Sequence, residues 1–275
     1  MSNRTTFPKL QSTFELNSKN NMKRTILFWI LAIVITLVSA YYQRVTGPTY
    51  PLSGKINLDG KEISYKLERS HSTSSNYFIE INTGDPTIHG SLFMKKYNSN
   101  NDFTEEEMMG TGTLKAELPA QPKLHKLEYF IKLFKDQITA QIPADKHIVI
   151  RFKNDVPIGI LIPHIFAMFF AMMLSTRTGL DFFNKEPKVD KLALWTVIIF
   201  FIGGFPLGFA MNGFAFGTVW GGWPFGHDVT DNKTQFAFLA WLIAFYMIKK
   251  NKNAKLAALL AAIIMIAVYM IPHSV

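Results

Sequence analysis

The stretch Ile158–Ser175, with the sequence IGILIPHIFAMFFAMMLS, decides the class of this protein. It contains no Asp, Glu, Lys or Arg. As an α-helix rising 1.5 Å per residue it is about 27 Å long, close to the roughly 30 Å hydrocarbon thickness of a bilayer. The stretch therefore predicts a helix that crosses a membrane.

Four further blocks are equally apolar and free of charged residues, namely Ile26–Tyr42, Leu192–Met211, Phe236–Ile248 and Leu256–Ile271. They explain why 48% of the 275 residues are hydrophobic and only 18% are charged. We expect a membrane α-helical bundle of about five transmembrane helices. Ion-coupled transporters need ionisable groups inside their spans, so the uncharged blocks argue against that class.

The charge distribution predicts the orientation in the membrane. The net charge is +9, yet the long segment 43–156 is almost neutral, with 15 basic and 14 acidic residues. Basic residues instead gather before the first block and after the second and fourth blocks, and Arg177 is expected to be one of the charges in the loop after the second block. By the positive-inside rule, residues 1–24 are cytoplasmic, residues 25–42 form a signal anchor, and residues 43–156 are exported. The predicted partner of this charge is the lipid bilayer, and no nucleic acid is expected.

An alternative interpretation of the first block remains open. Met22-Lys23-Arg24 precedes an apolar run that ends in Val38-Ser39-Ala40, a pattern typical of a cleaved signal peptide. Cleavage leaves four spans and the same orientation for the rest of the chain.

Segment 43–156 changes to a period of two, which indicates β-strands. Asp59-Gly60 predicts a hairpin turn between Ile56 and Ile63. In the longest candidate strand Leu127, Tyr129, Ile131 and Leu133 share one face, whereas Thr104–Glu107 reads as a solvated turn or a short helical cap. Eight short strands in about 100 residues predict an all-β, Ig-like or fibronectin-like sandwich domain inserted between helices 1 and 2. The strand candidates besides the hairpin are Tyr77–Ile81, Ser91–Tyr97, Thr113–Leu118, Lys126–Phe134, Ile138–Ile142 and Ile148–Phe152.

The remaining residues, 157–275, are predicted to form a four-helix transmembrane domain with a Gly- and aromatic-rich outer loop at 212–234. Two small-residue spacings, Gly204-xxx-Gly208 and Gly213-xxx-Gly217, favour close helix contacts, as does the alanine face of the fifth block at Ala257, Ala258, Ala261 and Ala262. Trp220 and Trp223 lie among the loop glycines, where an aromatic belt at the lipid interface is expected.

Chemistry-bearing residues are sparse. The chain has no cysteine and no P-loop, nucleophile elbow or HExxH pattern. One candidate site combines His164 of the second block with His227, Asp228 and Asp231 of the outer loop, as catalytic residues or, for His164, His227 and Asp228, as metal ligands. Plainer interpretations are a helix-bonded His164 and a helix cap at Asp228 or Asp231. No cofactor is predicted, and a metal ion or haem remains open.

A second candidate site is a ligand-binding one. Arg69 and His71 lie at a strand end of the exported domain, where exposed loop residues often contact ligands. Trp220 and Trp223 are further candidates for ligand contact.

Several short motifs of this chain resemble a family of polytopic bacterial inner-membrane proteins with an exported β-rich domain and no assigned activity. They are Tyr41-Tyr42-Gln43-Arg44, Thr46–Tyr50, Leu67–His71, Lys126–Tyr129, Pro163-His164, Ser175–Leu180 and Pro224–Thr234. The resemblance implies a bacterial inner-membrane protein with a periplasmic domain.

Together these features predict a non-enzymatic inner-membrane protein. Its periplasmic β-sandwich is expected to bind a ligand or another envelope protein, as a subunit of a membrane complex. The alternative is a membrane-embedded enzyme, or a redox or metal component, with its site at the periplasmic face.

Overall fold

The computed structural model describes residues 7–185, 187 and 189–272, with side chains from residue 21 onward. It divides into two compact units. The helical unit comprises the chain through Gln43 together with Ile162–Gly208 and Gly222–Ile271, and the β unit comprises Arg44–Leu161 with Phe209–Gly221. The separation of helices from a β-rich region agrees with the sequence analysis.

The helices lie where the apolar blocks predict them. They are α1 (Phe7–Thr46), α2 (Ile158–Leu180), α3 (Val189–Ile202), α4 (Gly208–Phe216), α5 (Val229–Lys249) and α6 (Ala254–Met270). A 3₁₀ turn, Asp181–Phe183, extends α2, and a π-helical segment, Gly203–Leu207, joins α3 to α4.

Within the described residues, three helical segments are long and apolar enough to cross a bilayer, namely Asn21–Thr46, Ile158–Phe183 and Val189–Phe216. This finding supports a membrane protein, but it does not confirm the predicted number of five spans. The first turn of α5 is polar, and α6 has only 17 residues. Both helices are therefore marginal by length and composition.

The π-helical segment has a local cause. Pro206 has no backbone N–H, and its ring crowds the carbonyl four residues earlier, so it disturbs the regular α-helical hydrogen bonding at this point. Gly203 and Gly204 precede it and are buried. A β-carbon on Gly203 would lie 3.0 Å from Met168 Sδ, and one on Gly204 would lie 3.0 Å from the Thr234 methyl group. These two glycines let α2 and α5 approach this segment closely.

The predicted alanine face of α6 is buried, as expected, with Ala257, Ala258, Ala261 and Ala262 all in the core of the helical unit. Trp241 of α5 lies in the same core and donates from Nε1 to Ser175 Oγ at 3.0 Å. By contrast, Gly208 and Gly213 of the predicted spacings make no close contact with another helix. The close helix contacts form at Gly204, the first glycine of one predicted spacing, and at its neighbour Gly203.

The β unit contains ten strands rather than eight. They are β1 (Leu52–Leu58), β2 (Lys61–Leu67), β3 (Ser70–Ser72), β4 (Tyr77–Asn82), β5 (His89–Lys96), β6 (Thr104–Glu107), β7 (Thr113–Leu118), β8 (Lys126–Lys135), β9 (Ile138–Ile142) and β10 (Ile148–Lys153). The six-stranded sheet has the order β3-β10-β8-β5-β6, with β9 also paired to β8, and two-stranded sheets form from β1-β2 and from β4-β7.

One core holds these sheets together. Leu127, Tyr129, Ile131 and Leu133 of β8 are all buried, so the predicted inward face is confirmed. The core draws on both two-stranded sheets as well as the six-stranded one. This arrangement is compatible with a β-sandwich.

The core also contains a buried tyrosine pair at one corner. Tyr129 Oη donates to the Glu68 carbonyl at 2.9 Å, and Tyr77 Oη accepts from the Glu68 N–H at 3.0 Å. Together the two hydroxyls form hydrogen bonds with the carbonyl and the N–H of Glu68, which lies between β2 and β3.

Two local predictions about the β unit meet different outcomes. The Asp59-Gly60 hairpin is confirmed, with φ of 52° and 79° at its two turn residues. The interpretation of Thr104–Glu107 as a turn or helical cap is wrong, because these residues form the edge strand β6 opposite β5. All four are exposed, and their row of carboxylates discourages edge-to-edge pairing with another sheet.

The outer loop is shorter than predicted. Helix α4 continues to Phe216 and α5 begins at Val229, so only residues 217–228 of the predicted 212–234 loop are irregular.

Candidate functional site

His164 is bonded to a neighbouring helical segment. Its Nδ1 lies 3.0 Å from the Gly203 carbonyl oxygen. A carbonyl can only accept, so Nδ1 carries the hydrogen and Nε2 of the neutral ring keeps its lone pair. This geometry matches the plainer interpretation of His164 and leaves one ring nitrogen able to bind a ligand.

The residues before α5 act first as a helix cap. Asp228 is the N-cap of α5, and its carboxylate accepts from the Asp231 N–H at 2.9 Å. Asp231 is buried within the first turn, whereas His227 is exposed. The helix-cap prediction is therefore confirmed for Asp228.

The composite site gains no further support. Among the described residues, no group of three His, Asp or Glu side chains is arranged to hold a metal ion. A catalytic or metal-binding role for His164, His227, Asp228 and Asp231 stays a prediction.

His71 has an arrangement that looks catalytic but is not suited to catalysis. Its Nε2 lies 3.3 Å from Ser75 Oγ and 3.2 Å from the Asn76 carbonyl oxygen. Because the carbonyl must accept, Nε2 carries the hydrogen and cannot take a proton from the serine. The ring packs beside Tyr77 and Phe152, which holds the β3–β4 loop in place.

Asp155, the acidic residue near this loop, is also hydrogen-bonded to neighbouring side chains. Asp155 Oδ2 accepts from Ser72 Oγ at 2.7 Å and from Ser74 Oγ at 2.9 Å. These hydroxyls lower the pKa of Asp155, because they stabilise the ionised carboxylate. These hydrogen bonds connect β3 and the residues after it to the segment that follows β10. Ligand binding by Arg69 and His71 stays a prediction.

The two candidate tryptophans lie in different units. Trp220 belongs to the β unit, where its ring meets Phe209 at a centroid distance of 5.5 Å. Trp223 belongs to the helical unit, and its backbone N–H donates to Asn232 Oδ1 at 2.6 Å. Its ring and that of Phe225 are exposed, the latter to 85%. Exposed rings of this kind suit the interfacial belt that the sequence predicts.

The structure reveals a cluster of side chains that the sequence did not predict, on the outward face of the six-stranded sheet. We call it the outer-face cluster and define it as the rings of Phe93, Phe103, Phe130 and His147 with the charged side chains of Lys95, Glu128 and Lys132. Phe130 stacks on Phe93 at 4.8 Å and on His147 at 4.6 Å, so three rings, from β5, β8 and the residue before β10, form a row.

Phe103 closes the row from one side. Its ring meets the edges of Phe130 at 5.0 Å and of His147 at 4.9 Å. As a result Phe130 is only 7% exposed although it points away from the domain core. A sheet face turned to water is normally polar, so a packed aromatic row there is unusual.

Charged groups frame the rings. Lys95 Nζ lies 4.6 Å from the centroid of Phe103, and Lys132 Nζ lies 5.0 Å from that of Phe93, both within cation–π range. Glu128 accepts from His147 Nδ1 at 2.7 Å and lies 3.8 Å from Lys95 Nζ. The face thus offers apolar rings with both signs of charge at their border.

A signal for this cluster was present in the sequence. The outward positions of β8 are Lys126, Glu128, Phe130, Lys132 and Phe134, and two aromatic residues interrupt an otherwise charged series. The partner rings Phe93, Phe103 and His147 come from distant parts of the chain, so the pattern of β8 alone could not reveal the row.

A second feature was also missed, in the helical unit. Arg177 is not a loop charge: it lies within α2, 5% exposed, and donates to Asp181 Oδ1 at 2.7 Å with the aspartate 1% exposed. Its guanidinium also lies 5.6 Å from the Phe28 ring and 5.5 Å from the Trp29 ring of α1. Arg177 therefore links α2 to α1, and it does not count among the loop cations on which the predicted orientation depends.

Comparison with known proteins adds no further assignment. No family model matches this chain, and no curated protein matches it.

Proposed function

We propose that this chain is a bacterial inner-membrane protein whose exported β-domain binds an envelope partner through the outer-face cluster. In this proposal the chain crosses the membrane five times, the N-terminus is cytoplasmic, and residues 43–156 form an Ig-like sandwich in the periplasm. It acts as a subunit of a membrane complex and carries out no reaction itself.

The outer-face cluster is the observation that carries the proposal. Four rings pack together on the outward side of a sheet, where they contribute nothing to the domain core. Aromatic residues, Phe among them, are enriched in protein interfaces relative to the rest of the surface. A protein partner explains why these residues face outward.

The proposed orientation is supported by charge and by helix length. The segments Asn21–Thr46 and Ile158–Phe183 flank the β-rich part of the chain and are both able to span a bilayer. Reporter fusions at Asn100 and Asn251 test the topology, because the proposal places these sites on opposite sides of the membrane. Fusions that report the same compartment contradict it.

Site-specific photo-crosslinking in cells tests the binding surface. A photo-reactive phenylalanine analogue replaces Phe103 in the cluster or, as the matched control, Phe78, which is 68% exposed on β4 of a different sheet. We expect one discrete crosslinked protein from position 103, none from position 78, and loss of the crosslink when Lys132 is changed to Ala. Equal crosslinking at both positions, or none at either, counts against the proposed surface.

One observation favours the alternative function as a redox or metal component. The bond from His164 Nδ1 to the Gly203 carbonyl orients the ring and leaves Nε2 as the metal-binding nitrogen, as is common for histidine ligands. Metal analysis and a visible absorption spectrum of the purified protein test this alternative. A chromophore or bound metal that disappears in His164→Ala, but persists in His227→Ala, establishes His164 as a ligand.

A further inference from the structure

A group of cations lies in the β unit beside the points where the chain leaves it for the candidate spans. We call it the basic cluster and define it as Arg44, Lys126, Arg151 and Lys153. Arg44 is in the last turn of α1, two residues before its end at Thr46, and Lys153 precedes the start of α2 at Ile158 by five residues. Five extended residues cover at most about 18 Å, so Lys153 stays near the end of a span whatever path the chain takes.

Strand pairing forces two of these cations together. In the antiparallel pair of β8 and β10, Lys126 lies directly opposite Arg151. Like charges at directly opposed positions destabilise a sheet. The pairing therefore concentrates two positive charges at one place on the sheet.

Aromatic rings position the two guanidinium groups. Arg151 Cζ lies 4.7 Å from the centroid of Phe216, and Arg44 Cζ lies 5.5 Å from that of Tyr50. Rings in these positions attract the cations without neutralising their charge. Planar guanidinium groups match the oxygen geometry of phosphate and can bind it with two parallel hydrogen bonds.

The remaining electrostatics show an excess of positive charge. The pKa of Lys153 is lowered, first by burial around its ammonium group and then by the positive charges of Arg151 and Arg44. Asp155 is the acid that opposes this effect, and its carboxylate is already bonded to Ser72 and Ser74. Within the described part of the chain, neither Arg44 nor Lys153 forms an ion pair closer than 4.0 Å.

We propose that the basic cluster binds the phosphate group of an anionic membrane lipid. Headgroups occupy a layer of roughly 5–8 Å on each side of the hydrocarbon core, which is the depth expected for a side chain at the end of a span. A lipid phosphate is thus held beside the cluster by the membrane itself, whereas a free phosphate must bind from solution. This inference depends on the candidate spans but not on the outer-face cluster or its partner.

Native mass spectrometry of the full-length protein in mild detergent tests the proposal. The delipidated protein is titrated with phosphatidylglycerol and, separately, with the zwitterionic phosphatidylcholine. We expect tighter binding of phosphatidylglycerol and about a 25-fold loss of that affinity in the double variant Arg44→Gln/Lys153→Gln. This magnitude corresponds to about 1 kcal/mol for each cation near a membrane surface.

Two further variants make the result decisive. Lys66→Gln, an exposed lysine on β2, removes one charge elsewhere in the β unit and should leave phosphatidylglycerol binding unchanged. Arg151→Gln reports on the cluster if the double variant fails to fold, with an expected loss of about fivefold. Equal affinity for both lipids, or equal loss in Lys66→Gln and the cluster variants, overturns the proposal. Displacement of phosphatidylglycerol by comparable amounts of inorganic phosphate also overturns it, because the site is then a general phosphate site.

Discussion

Phe93 and Phe130 lie directly opposite each other on β5 and β8, and their rings stack 4.8 Å apart with an interplanar angle of 2°. Both point away from the domain core. The pair, extended by His147 and covered by Phe103, gives the outward face of the sheet a small packed layer of its own. The four rings that form the proposed binding surface should therefore also contribute to the stability of the sheet.

Removing the central ring should destabilise the protein although it lies outside the main core. In Phe130→Ala, three neighbouring rings lose their packing partner, and we expect a loss of about 3 kcal/mol in the free energy of unfolding. Chemical denaturation of the full-length protein in detergent measures the change. The control Phe78→Ala removes an exposed ring and should stay within about 0.5 kcal/mol of wild type. A similar loss in both variants contradicts a packed layer.

Acid should weaken the β-domain through Asp85. The Thr87 hydroxyl and N–H donate to its Oδ1, Lys135 lies 3.3 Å from its Oδ2, and these contacts lower its pKa from 3.8 to about 2. Folding lowers this pKa, so the stabilisation is complete above pH 3.8 and is lost as the pH falls from there through about 2.

Unfolding measurements across this pH range, on wild type and Asp85→Asn, test that expectation. Wild type should be the more stable above pH 3.8, and the difference should shrink towards zero near the lowered pKa of about 2. A difference that is independent of pH shows that Asp85 stabilises by packing rather than by its charge.

Breaking the ion pair between Arg177 and Asp181 should be costly, because both side chains are almost completely buried. In Arg177→Gln the aspartate loses its charged partner, and we expect destabilisation of about 3–5 kcal/mol. Thermal unfolding in detergent measures this loss. The double variant Arg177→Met/Asp181→Leu leaves no buried charge and should recover a large part of it. If the double variant is no more stable than the single one, the cation–π contacts with α1 dominate instead.

Gly179 of α2 should tolerate no side chain. A β-carbon there would lie 2.5 Å from the Ala262 β-carbon of α6, closer than two carbon atoms can approach. We expect Gly179→Ala to destabilise the helical unit by about 1–3 kcal/mol.

A compensating change tests this contact. Ala262→Gly in the Gly179→Ala background restores the space and should rescue much of the loss in thermal unfolding experiments. Additive effects of the two substitutions contradict a direct contact between these positions.

Much of the architecture could be predicted from sequence because it depends on local periodicity. Apolar blocks located all the long helices, and a period of two located most strands and the inward face of β8. Thr104–Glu107 failed because its four polar residues carry no alternation, and only pairing with β5 makes them a strand. The count of spans stayed open because α5 and α6 are near the limit of length and polarity.

The candidate sites show the same division. A single sequence pattern sufficed for the Asp228 helix cap, since the carboxylate and the N–H that it accepts from are three residues apart. The contacts of Arg177 with Phe28 and Trp29, and the stacking of His147, Phe130 and Phe93, depend on residues far apart in the chain. Hydropathy and periodicity depend only on the order of apolar and polar side chains along each segment. The sequence alone therefore determined which segments are apolar enough for a membrane and which form strands with one polar face. Only the tertiary structure decided which distant side chains meet, because strand register and helix packing select among many arrangements that satisfy the same local pattern.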